Sequence, residues 1–277
     1  LPGPPRPRRQ LPLPRTRPGL SVADEWEYRE PYFLPATADR FLGHGETWVE
    51  NNQRFRQSQK FQFFRNVIDY LIDNDLKGSY FEFGVHRART FTMAMSLDRF
   101  YADRKGPTGG ALAPHAAGGY FDEYVAFDSF EGFPDETAVH EHPIYKSGHV
   151  KTNEVEFLEL LRRYGQSTDR VRLVKGFYDR SLTESLAAEF RSRRSVASFV
   201  TVDCNLYESY RDVLTWCDEF IQPGTIIYLD DFNTHRAQDD RGPRRAWTEY
   251  IDRARWTFDR FLDVGWCGRS YVAQRRS

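Results

Sequence analysis

Between residues 60 and 273 the chain switches repeatedly between two hydrophobic rhythms. Phe61, Phe64, Ile68 and Leu71 fall at helical spacing and predict an amphipathic helix ending near Asn74. Short, near-continuous apolar runs follow at Tyr80–Phe83, Tyr124–Phe127, Val171–Val174, Ala197–Val202 and Thr225–Leu229. Each gives way to a helical stretch: about 90–101, 155–164, 182–190, 210–220, and from Pro243 towards Trp256. Apolar runs this short suit strands covered on both faces, so five βα units predict a parallel sheet between two helical layers. Phe258–Val264 and Arg269–Ala273, separated by Gly265 and Gly268, predict an antiparallel pair that completes a seven-stranded doubly wound sheet. In such sheets ligands bind beyond the carboxyl ends of the strands, which is where the polar residues of this chain cluster.

The rest of the chain does not follow these rhythms. Residues 1–20 hold seven prolines, five arginines and no acid, and read as a disordered arm. Residues 21–60 are rich in aromatics but irregular, and predict a lid over a pocket or a strap across the core. Gly106, Gly109, Gly110, Gly118 and Gly119, with Pro107 and Pro114, mark a flexible insertion near 103–121.

Composition narrows the function classes. With 39 basic and 40 acidic residues the chain lacks the footprint of a polyanion binder, so no nucleic-acid partner is expected. Cys204, Cys217 and Cys267 have no metal-binding spacing and suit a reduced compartment. No apolar run is long enough for a membrane helix, so a soluble cytoplasmic protein without a membrane partner is the expectation. The aromatic segment before the first helix could also serve a subunit contact, leaving a homo-oligomer open.

Three constellations carry possible chemistry. In EFGVHRAR, Glu82 ends a strand, Gly84 follows, and a helix begins shortly afterwards; this suits a cofactor with a sugar and a charged tail. The stretch lacks the glycines of a dinucleotide fingerprint, and could equally be no more than a tight strand-to-helix turn. In FDSFEGFP, Asp128 directly follows a strand, where a carboxylate can accept both hydroxyls of a ribose. The competing role is an N-cap or Asx turn. Finally, Asp203 and the pair Asp230-Asp231 close the fourth and fifth strands. Parallel neighbours would bring the three carboxylates together, and such a cluster calls for a hard divalent cation such as Mg2+ rather than zinc. The alternative is helix capping with salt bridges to Arg236 or Arg244. His235 is a candidate general base or an exposed loop histidine, and His140, His142 and His149 lie on a loop that could face substrate.

Taken in order, EFGV at 82–85, FDSFEGFP at 127–134, KGFY at 175–178, DCNLYES at 203–209 and YLDDF at 228–232 resemble the macrocin O-methyltransferase-like class I methyltransferases. The resemblance implies a Rossmann-like fold, S-adenosylmethionine as cofactor, and methylation of a hydroxyl on a small molecule, often a sugar of a secondary metabolite. It implies Glu82 and Gly84 near the methionine part, Asp128 and Ser129 at the ribose, Gly176 and Phe177 near the adenine, and Mg2+ at Asp203, Asp230 and Asp231. Asp203 or His235 would take the acceptor's proton. Two positions depart from the pattern: Ala88 stands where a glycine is usual, and Asn205 where many members carry a further Asp. The rival expectations are a silent scaffold on the same fold and, less in keeping with the missing glycines, a nucleotide-dependent oxidoreductase.

Overall fold

A computed structural model describes residues 48–105, 119–134 and 151–276. The arm at 1–20, the aromatic segment up to residue 47, most of the glycine-rich insertion and the three loop histidines lie outside these residues.

The first helix, α1 (Trp48–Asp73), starts well before the periodic stripe that predicts it. It contains no glycine or proline, so nothing in its backbone chemistry stops it from extending upstream into the stretch read as a strap. Strand β1 (Gly78–Phe83) leads to α2 (Arg89–Lys105), and β2 (Phe121–Asp128) to α3 (Glu154–Arg163). Strand β3 (Val171–Lys175) is followed by the short α4 (Tyr178–Ser181) and by α5 (Glu184–Ser192), which Thr183 caps by accepting from Leu186 N. Strand β4 (Ala197–Val202) precedes α6 (Tyr207–Cys217); β5 (Ile221–Leu229) precedes α7 (Gly242–Ile251). Strands β6 (Trp256–Val264) and β7 (Gly268–Arg275) finish the chain.

The seven strands form one sheet in the order β3-β2-β1-β4-β5-β7-β6, parallel except for β7. The terminal hairpin therefore does not simply add to the edge: β7 inserts between β5 and β6. Side-chain alternation along the strands divides the core in two. Tyr80, Phe199 and Tyr228 face a cluster with Phe63 and Phe64 of α1, Phe91 of α2 and Phe157 of α3. Phe81, Val200 and Leu229 face the other layer, with Phe190, Leu214 and Trp247. Both β1 and β4 are covered on each face, which is why their apolar runs are nearly continuous, with Glu82 and Thr201 as buried polar exceptions.

Candidate active site

The strand order reverses between the parallel neighbours β1 and β4, and their carboxyl ends border a cavity of about 660 Å³, within the range of small-molecule sites. Its wall includes Gly84, Asp128, Ser129, Gly176, Phe177 and Asp203, six of the residues expected from the sequence. Phe133, Tyr178 and Asn205, which lie within the sequence motifs but carry no expected site role, also line it, as does Arg180, which no motif covers.

Gly84 is fixed by the sheet itself. Its φ is 88°, and a Cβ there would lie 2.0 Å from the carbonyl oxygen of Asp203. Glycine thus allows two adjacent strand ends to approach, and any room it gives a ligand is a consequence. Ala88, in the following turn, adopts φ 60° while fully buried, a left-handed conformation that glycine enters without strain. This accounts physically for the glycine usual at that position.

Asp128 makes the Asx turn that is the competing expectation for it. It borders the cavity, yet Oδ1 accepts from Phe130 N at 2.8 Å, closing an Asx turn, and Oδ2 accepts from Val85 N at 2.8 Å and His86 N at 3.4 Å. It therefore ties the β1–α2 turn to the end of β2, and occupies the Val85 and His86 amides of that turn. Burial raises its pKa, while these amides oppose the rise.

Alternation also determines which acids meet. Glu82 pairs with Thr201 across β1 and β4, and Thr201 with Tyr228 across β4 and β5. Two residues beyond Thr201 and Tyr228 come Asp203 and Asp230, on the α1 side of the sheet. Glu82 is fully buried, outside the cavity lining, and accepts from the Tyr80 hydroxyl and from Thr90 Oγ1 at 2.5 Å. Burial pushes its pKa up to about 8 despite those donors.

Asp203, Asp230 and Asp231 each present an oxygen within 4.8 Å of the others. Asn205 donates to Asp231 Oδ2 at 2.7 Å, so this position supplies a neutral donor where another acid would add charge. The Tyr228 hydroxyl donates to Asp230. The cations facing the trio are not Arg236 or Arg244 but two residues of α1. Lys60 Nζ lies 2.9 Å from Asp230 Oδ1 and 3.5 Å from Asp203 Oδ2, and Arg56 Nη2 lies 3.8 Å from Asp230 Oδ2. Their charges hold Asp230 below the usual carboxylate range against the opposing effect of burial. Asp203 is pushed up to about 7 by burial and then by Asp230, and Asp231 rises by burial and by both neighbouring acids. His235 is outside the cavity lining; its ring packs on Gly242 at the start of α7, where a Cβ would come 2.4 Å from Cδ2.

The sequence did carry a signal for Lys60 and Arg56. Residues 56, 60, 64, 67 and 71 recur at helical spacing on α1, and Phe64, Val67 and Leu71 are core residues. Two cations therefore stand on a buried stripe, which demands buried acids opposite them.

Among the described residues, no helix is long and apolar enough to cross a membrane. The fold is shared with the O-methyltransferase NovP (18% identity, 79% of this chain and 81% of that one, TM-score 0.60). It is shared also with CalS11, a calicheamicin methyltransferase (16% identity, 94% and 99% covered, TM-score 0.57). An apo structure of CalS11, described as a TDP-rhamnose 3'-O-methyltransferase, aligns at 17% identity over 92% and 96%, with a TM-score of 0.53. Comparison with curated proteins gives no match. The macrocin O-methyltransferase (TylF) family matches residues 110–263, more than half of the chain and including β2 to β6 with the cavity's Asp128, Gly176 and Asp203. The chain belongs to the macrocin O-methyltransferase (TylF) family.

Proposed function

We propose that this protein transfers a methyl group from S-adenosylmethionine to a hydroxyl of a small molecule, of the sugar or secondary-metabolite class, with a hard divalent cation such as Mg2+ assisting at the acid trio. The observation that carries the reading is the double position of Asp203. It lines a cofactor-sized cavity at the β1/β4 reversal and belongs to the three-carboxylate cluster beside it. Metal-assisted methyl transfer needs these two features next to each other, because the methyl donor and a cation-held acceptor oxygen must meet in line.

The residues present fit both groups. The cavity has polar walls at Asp128, Ser129 and Asp203 and aromatic ones at Phe133, Phe177 and Tyr178, as a ligand with a charged tail, a ribose and a flat base requires. The trio offers only carboxylate oxygens, the donors a hard cation takes. When bound, the cofactor supplies an activated methyl on a sulfonium, and the cation supplies positive charge that favours the acceptor's ionised hydroxyl. Asp128, the turn it clamps, and Gly176, whose N–H donates to the Asp128 carbonyl at 2.9 Å, form one contiguous wall of the cavity together with Phe177. Asp203, raised to about 7 by its burial and then by Asp230 when no metal is bound, is the member of the trio that lines the cavity and is the base proposed in this scheme. His235 is directed towards α7 and is left out of this scheme. The sugar and secondary-metabolite class is supported by the family, and by the named activity of CalS11 as a parallel.

The test is calorimetric titration of S-adenosylhomocysteine into the folded protein, with and without Mg2+. Saturable binding is expected. Absence of binding in both conditions would sink the methyltransferase reading and favour a scaffold on the same fold.

A further inference from the structure

The acid trio is already partly compensated from within the chain. Lys60 Nζ, with only 8% of its side chain exposed, sits between Asp230 and Asp203 at 2.9 Å and 3.5 Å. The shorter of these is a charge-assisted hydrogen bond. Arg56, one helical turn earlier, adds a second positive charge 3.8 Å from Asp230. Two cations thus face three carboxylates, and Asn205, lying against Asp231, adds no negative charge.

A divalent cation would need some of the same oxygens. Hard ions draw carboxylate oxygens to roughly 2.0–2.6 Å. Held by Asp203 and Asp230, an ion would come within a few ångströms of an ammonium already bonded to both. Like charges that near, away from bulk water, repel strongly. Donor chemistry invites a metal, while geometry seats a side-chain cation on two of the three carboxylates.

We infer that Lys60 is a resident competitor for the divalent cation: its ammonium holds the Asp203/Asp230 pair in the metal-free protein and is displaced when a metal enters. The inference rests on the metal reading above. It makes the cation affinity of this chain a property of α1 as well as of the trio, and leaves the metal-free site with two cations set against three carboxylates.

The test uses Mn2+ alone as probe, titrated into the whole purified protein at fixed pH, with free Mn2+ followed by electron paramagnetic resonance. Lys60→Met should bind Mn2+ at least tenfold more tightly than the unaltered protein. Lys60→Arg, which keeps the charge, should bind about as weakly as the unaltered protein. Asp231→Asn added to Lys60→Met should abolish the gain, which places the ion at the trio. Equal, measurable affinity in the unaltered protein and Lys60→Met overturns the competitor role and leaves the metal reading standing. No uptake by either at millimolar Mn2+ overturns both. Should Lys60→Met fail to fold, the unaltered protein supplies the answer through acetic anhydride labelling read by mass spectrometry. Saturating Mn2+ should raise labelling at Lys60 severalfold, and unchanged protection would refute displacement.

Discussion

Glu82 offers a quantitative test of the buried polar layer beneath the site. It is fully buried, and its ordinary value of 4.5 is raised to about 8, chiefly by burial. Between those two values the folded protein holds a proton that the unfolded chain releases, so stability must fall as pH rises. The contribution is fully present below about pH 4.5 and lost as pH climbs through about 8. Linkage with these two values gives a deficit of roughly 2 kcal/mol at pH 6 and roughly 4 kcal/mol at pH 8, relative to a permanently neutral side chain. Glu82→Gln supplies that reference. Its amide can pair with the Tyr80 and Thr90 hydroxyls, which can each donate or accept. The assay is urea unfolding of both proteins from pH 6 to pH 8 with a chelator present. Asp203 and Asp231 are also raised by burial and push stability in the same direction, but both proteins carry them and their effect largely cancels in the difference. The advantage of the Gln variant should grow by about 2 kcal/mol over this interval. A difference constant to within about 0.5 kcal/mol would refute the assignment of Glu82 as a protonated buried acid.

Other substitutions probe different links. Gly84→Ala would drive a methyl group into the Asp203 carbonyl and should cost about 3 kcal/mol or more in urea unfolding, with loss of S-adenosylhomocysteine binding; a stable, binding-competent variant would contradict the close strand approach. Asp98, fully buried on α2, accepts from Tyr120 N at 2.6 Å, Phe121 N at 3.4 Å and the Tyr124 hydroxyl, which fastens the start of β2. Asp98→Ala orphans those donors and should destabilise by about 2–4 kcal/mol, and a loss below about 1 kcal/mol would mean that water replaces the carboxylate. Asp203→Asn should lower kcat by roughly 10²–10⁴ with S-adenosylhomocysteine still bound; unchanged turnover would remove Asp203 as the base.

Much of this architecture was legible because the sheet is buried on both faces. Near-continuous apolar runs such as Phe199–Val202 can be placed nowhere else, and the polar residues that end them fall by default at the sheet's carboxyl edge. Strand order was less accessible. Two runs joined by Gly265 and Gly268 announce a hairpin, but whether β6 or β7 lies against β5 depends on packing with α7 and with α1, the latter distant in sequence. Asp128 shows another limit: sequence places a carboxylate beside a cavity, but cannot tell how much of its capacity three backbone amides already use.

The acid trio shows what a stricter reading of periodicity could have recovered. Asp203 and Asp230 extend the alternation of Thr201 and Tyr228, so their common face could be counted directly from the strands. The same counting on α1 puts Arg56 and Lys60 in line with Phe64, Val67 and Leu71, and buried charges on a helix need partners on the surface it covers. Phe63 and Phe64 pack against Phe199 and Tyr228, with ring centroids 4.8 Å apart for Phe63–Tyr228 and 5.0 Å for Phe64–Phe199. Those contacts set the height of α1 over the sheet, and so bring Lys60 level with the carboxylates that follow Thr201 and Tyr228. The charge balance of the candidate active site is therefore built by the aromatic core immediately beneath it, and a change in that packing should alter cation binding before it alters the cofactor cavity.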